Sequence, residues 1–138
     1  MINQYTIATK PDFLRKVIEQ EIPEFTPKYQ ARCGMYLPIL INDPAGCKMV
    51  VAKWGITGKG TNVTNIPMSR VLKNSSYNLM IRKNRCAIPA NCFITVNQKG
   101  VWAVRMLRHR MFWMGGMYME RGPYYEFALL ETEPGDVI

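Results

Sequence analysis

Short strand-like runs follow one another along this chain without the strand–helix–strand alternation of a parallel α/β sheet, which rules out a doubly wound fold. Gln4 to Ala8 alternates Tyr5 and Ile7 with polar neighbours. Leu37 to Asn42 and Lys48 to Trp54 read as two strands joined by the turn Asp43-Pro44-Ala45-Gly46. Ala87 to Ile88, Phe93 to Val96, Val101 to Leu107, Met111 to Met119 and Tyr124 to Leu130 have strand character, with Asn97-Gln98-Lys99-Gly100 as a hairpin turn. Two helical patterns stand apart. One starts at Thr9-Lys10-Pro11-Asp12 with Thr9 as the expected cap, carries Phe13, Leu14, Val17 and Ile18 on one stripe, and closes by Pro23. The other runs from a Ser75 cap to about Lys83, and Gly55 to Thr64 reads as loop. The expectation is an α+β fold: a mixed, mostly antiparallel sheet or open barrel with two or three short helices, in a single domain over residues 1–138.

That domain has 138 residues, 48% of them apolar, enough to bury a core. No run approaches the roughly 18 apolar residues of a membrane span, and Met1 to Tyr5 lacks the basic and apolar regions of a secretory signal. No membrane partner and a cytoplasmic location are the default expectations. Cys33, Cys47, Cys86 and Cys92 show no paired spacing, and the lone His109 cannot complete a zinc set, so neither metal nor cofactor is expected.

Charge is segregated. Between Asp43 and Glu120 there is no acidic residue, yet twelve lysines and arginines fall there, and the net charge is +8. A block of one sign focuses its field on anions and points to a phosphate backbone. Aromatics accompany the basic residues at Tyr29, Trp54, Tyr77, Trp102 and Trp113. Cations along a backbone beside aromatics that stack on bases make a single-strand binding surface, although aromatics at strand spacing also build cores. Catalytic pairs are scarce: His109 sits between Arg108 and Arg110, where neighbouring cations disfavour its charged form.

A succession of short motifs resembles one family. It runs Phe25-Thr26-Pro27-Lys28-Tyr29-Gln30, Leu37-Pro38-Ile39, Lys53-Trp54-Gly55-Ile56, Asn65, Arg85-Cys86-Ala87-Ile88-Pro89-Ala90-Asn91-Cys92-Phe93, Gly115-Gly116-Met117-Tyr118 and Phe127 to Thr132. Order and spacing are similar to the SOS-response-associated peptidase (SRAP) family of abasic-site processing proteins, over nearly the whole chain. The resemblance implies a domain that meets an abasic site in single-stranded DNA. In the family, an N-terminal cysteine and its α-amine capture the sugar aldehyde in turn and close a stable ring. An asparagine positions the sugar, while a glutamate and a histidine move protons.

Transferred position by position, much of that apparatus is absent. Ile2 stands at the nucleophile's place, and Thr95 at the glutamate's, followed by Val96 at a tryptophan's. Asn65 is kept, but Pro67 and Ser69 replace the arginine and glutamate of its motif, and Glu131 replaces the first threonine of the late strand. The family's H-x-R-M-P segment would begin a few residues past Ile138. His109-Arg110-Met111 imitates it in the wrong place. The expectation is a non-crosslinking binder of single-stranded DNA associated with the DNA-damage (SOS) response, with Asn65, Trp54, Lys53, Arg70 and Arg85 lining its groove and no catalytic residue. Two alternatives stand beside it. One is an active family member using another thiol, with Cys92 the candidate. The other is a protein-interaction or structural module, including self-association through an uncovered edge of the Met111 to Met119 strand.

Overall fold

The computed structural model describes residues 1–19, 21–58 and 60–131, without the side chains of Asn97 and His109. Lys59, the His109 imidazole and Thr132 of the last motif therefore lie outside the described residues. The strands are β1 (Ile2–Ile7), β2 (Lys28–Ala31), β3 (Tyr36–Asp43), β4 (Gly46–Trp54), β5 (Ile56–Thr57), β6 (Asn62–Val63), β7 (Asn65–Pro67), β8 (Arg85–Ala90), β9 (Cys92–Asn97), β10 (Gly100–Val104), β11 (Phe112–Arg121) and β12 (Tyr124–Glu131). Helices α1 (Pro11–Ile18), α2 (Met68–Lys73) and α3 (Ser75–Lys83) and a 3-10 turn at Leu107–His109 complete the described elements.

Five strands close a barrel in the order β11-β8-β3-β4-β12, with β12 returning to β11. Its pairings are antiparallel except β4 with β12. The α+β class stands, and the barrel is closed rather than open. Along the Met111 to Met119 strand, β8 pairs with Phe112 to Met117 on one side and β12 pairs from Gly116 onward on the other.

Side-chain alternation sorts each barrel strand into two faces. Leu37, Ile39, Ile41, Ala52, Trp54, Cys86, Ile88, Phe127 and Leu129 fill the interior. Trp54 stacks on Phe127 with ring centres 6.3 Å apart and meets Tyr5 at 5.3 Å. The outward residues Met117 and Ala128 pack with Ile66, Val71 and Ile81 beneath α2 and α3. Gly116 lets β11 fit here, since a Cβ would lie 2.6 Å from the Ala128 carbonyl oxygen and 2.6 Å from Ile88. A second sheet, β10-β9-β1-β2, covers the barrel through Tyr5, Ile7 and Ala31.

Local chemistry explains where elements begin and end. The turn expected at Asp43 forms, with its Oδ1 accepting from the Ala45 amide at 3.0 Å. Asn74 rather than Ser75 caps α3, accepting from the amides of Ser76 and Tyr77. Thr9 does not cap α1: its hydroxyl hydrogen-bonds the Asn91 side chain, and Lys10 holds the cap position. That helix ends at Ile18, well before Pro23, where Glu19 turns left-handed at φ 55°. The segment read as loop from Gly55 to Thr64 contains the small β5–β6 hairpin.

Candidate nucleic-acid interface

Where β4 leaves the barrel, the chain detours and returns to take over the same edge of β12. The Gly55 amide donates to the Phe127 carbonyl, and the Leu129 amide donates to the Thr64 carbonyl. β7 then runs parallel to the end of β12, pairing Leu129 with Asn65 and Glu131 with Pro67. This relay places Asn65 beside Glu131. The amino end of the chain arrives from the other sheet, where Ile2 pairs with Thr95 of β9.

These pieces meet in one hydrogen-bonded cluster. Asn65 Nδ2 donates to the Ile2 carbonyl at 3.0 Å and to Glu131 Oε1 at 2.7 Å. The Ile2 amide donates to the same Glu131 oxygen at 2.6 Å. The Met1 amine donates to Thr95 Oγ1 at 3.2 Å and to the Val96 carbonyl at 2.9 Å. Two N–H groups on one carboxylate oxygen, one of them part of a two-proton donor, fix the cluster's geometry. Glu131 was noted in the sequence only as a departure from a threonine. Its role as organiser of Asn65 needed the β7–β12 pairing to be seen.

The other sequence-derived site residues separate. Trp54 is fully buried, and its indole N–H donates to the Thr64 carbonyl at 2.9 Å, so it cannot stack on a base. Its neighbour Lys53 points to the opposite, outer face of β4 and pairs with Glu126 at 3.6 Å. Glu126 is almost wholly buried, and its carboxylate also accepts from the Thr57 amide, the Thr57 hydroxyl and Arg121 Nε. Burial raises its pKa, but the bonds from Thr57 and Arg121 outweigh that and leave it below the ordinary carboxylate value. Lys53 thus helps neutralise a buried anion. Arg70 is exposed and lines a polar cleft of about 400 Å³ with Pro67, Ser69, Lys73 and Asn74, immediately after Asn65 in the chain. Arg85 is exposed on β8, beside the buried Cys86.

The thiols are placed by the same alternation. Cys86 lies inside the barrel, where burial pushes its thiol far up, and it is chemically inert there. Cys92 pairs with Thr6, three residues along β9 from Thr95, or about 10 Å at strand rise. Cys33 is exposed, but partial desolvation raises its pKa despite a hydrogen bond with Thr64, so the thiol form prevails at neutral pH. Among the described residues no group of three His, Cys, Asp or Glu side chains could hold a metal. No helix among them is long and apolar enough to cross a membrane. A larger, apolar cleft of about 680 Å³ lies away from the cluster, between α1 and the start of β11, lined by Phe13, Val17, Met111 and Trp113.

The end of β12 thus gathers the amino end of the chain with an asparagine and a carboxylate. Residues 1–137 match the SOS response associated peptidase (SRAP) family, and the chain belongs to it. Solved structures share the fold. A phage-related protein from Bordetella bronchiseptica aligns with TM-score 0.74 at 14% identity, covering 94% of this chain and 68% of that one. A second Bordetella bronchiseptica protein aligns at TM-score 0.73 and 12% identity over 97% of this chain and 74% of its own. A Bacteroides thetaiotaomicron protein gives 0.72 and 14%, over 94% and 68%. No curated protein matches the sequence.

Proposed function

We propose that this SRAP-family domain binds single-stranded DNA in the setting of DNA damage and does not crosslink to it. The observation that carries this reading is the composition of the amino-end cluster. Ile2 stands where the family resemblance puts the nucleophilic cysteine, and its backbone is held by Asn65 and Glu131. An isoleucine has no group that can attack an aldehyde. The Met1 amine in the cluster could form only a reversible imine with an aldehyde, because the nearest thiol on that sheet, Cys92, lies at the far end of the β1–β9 ladder and cannot close the stable ring.

Binding is supported by charge and placement. Arg70 and Lys73 sit in the polar cleft that follows Asn65, exposed and with no carboxylate among the lining residues, as a backbone phosphate requires. Fluorescence anisotropy with a labelled single-stranded oligonucleotide carrying one abasic site tests the reading at two salt concentrations, with denaturing electrophoresis of the same mixture. Salt-sensitive binding and no retarded covalent band are expected. Absence of binding at low salt refutes DNA recognition, and a covalent band refutes the lack of crosslinking.

A further inference from the structure

We infer that the β9–β10 hairpin forms the base-stacking wall of this site, with Trp102 as the stacking residue. This rests on the single-stranded DNA reading above. Ile2 pairs with Thr95, and Thr95 pairs in turn with Trp102, so the three residues form one row across β1, β9 and β10. Directly opposed residues of antiparallel strands share a face, and each step is about 5 Å. Trp102 therefore stands on the face that carries the amino-end cluster, about 10 Å from Ile2.

Exposure separates it from the tryptophan singled out in the sequence. Trp102 is 52% exposed, whereas Trp54 is 0%. An indole that rests on a sheet and shows half its surface to solvent can take a base against its face. Lys99 and Arg105 flank β10, Arg108 and Arg110 follow, and no carboxylate occurs in the sequence until Glu120. These cations are exposed and bracket Trp102 along the chain, as phosphates on either side of a stacked base require.

The same charges disfavour the other occupant of an exposed strand, a second copy of this chain. Antiparallel pairing of two β10 edges centred on Trp102 sets Lys99 of one copy opposite Arg105 of the other, twice over. Like charges directly opposed destabilise a sheet. A polyanion meets the same residues favourably.

The test compares two oligonucleotides of equal length, one of thymidines and one of tetrahydrofuran spacers that keep the phosphates and lack bases. Trp102→Ala is expected to weaken thymidine binding about tenfold and leave spacer binding unchanged, because stacking involves the base alone. Trp102→Phe is expected to restore most of the loss. Wild-type binding that is insensitive to Trp102→Ala, or equal weakening for both oligonucleotides, overturns the inference. So does sedimentation showing a dimer that Trp102→Ala dissolves with oligonucleotide affinity intact. If the wild type binds neither oligonucleotide, the DNA reading itself fails and the hairpin's role falls with it.

Discussion

Replacing Trp54 by Phe separates a core role from a binding role at the residue where sequence and structure diverge most. Trp54 is fully buried among Tyr5, Phe127 and their neighbours, and its indole N–H donates to the Thr64 carbonyl. The substitution removes that bond. Thr64 oxygen keeps a second donor in the Leu129 amide, so no acceptor is orphaned and the loss is about 1 kcal/mol. The smaller ring leaves a void of about 40 Å³, worth about 1 kcal/mol at roughly 24 cal/mol per Å³. Total destabilisation of about 2 kcal/mol is expected, a fall that a domain of ordinary stability survives. Urea denaturation followed by far-ultraviolet circular dichroism measures it, and anisotropy with the single-stranded oligonucleotide supplies the second readout, expected to change less than twofold. A Trp54→Phe protein of wild-type stability that loses oligonucleotide binding would refute the core assignment.

Gly116→Ala should destabilise by about 1–3 kcal/mol or more, seen as a lower urea midpoint, because the new Cβ meets the Ala128 backbone oxygen at 2.6 Å and backbone cannot step aside. Glu126→Gln should cost about 1–2 kcal/mol near neutral pH, the difference between charged and neutral hydrogen bonds to Thr57 and Arg121. Because the folded-state pKa of Glu126 is depressed, its stabilisation is present above the ordinary glutamate value and disappears as pH falls through the lower folded value. The gap between wild type and Glu126→Gln should therefore close in acid urea titrations. A gap independent of pH would refute the charged network. Glu131→Gln keeps acceptors for Asn65 and Ile2 while deleting an anion beside the proposed strand path, so oligonucleotide affinity should rise about threefold at low salt and less at high salt, read by anisotropy.

What could be read before the fold was known followed from local rules. Alternation of Tyr5 and Ile7 with polar neighbours marked the first strand and its buried face, and the Asp43 turn followed from side-chain chemistry. Local rules failed where two candidates compete within one step. Asn74 and Ser75 are both capping residues, and only the backbone decided for Asn74. Lys53 and Trp54 are adjacent and were read as one surface, yet a strand sends neighbours to opposite faces, so one meets Glu126 and the other the core. The β7 strand and α2 carry too few periodic residues to announce themselves.

The chain alone determined an α+β class, a one-sign middle segment and, through ordered short motifs, the family, because each of these is written in residue type and spacing. Tertiary structure decided that β12 would hand its edge from β4 to β7, bringing Asn65 against Glu131 and the amino end. It also decided which tryptophan faces solvent: Trp102 sits on a sheet edge while Trp54 closes inside the barrel. The reason is distance along the chain. Ile2, Asn65, Thr95 and Glu131 are far apart in sequence, and only strand pairing over long separations puts them within hydrogen-bond reach.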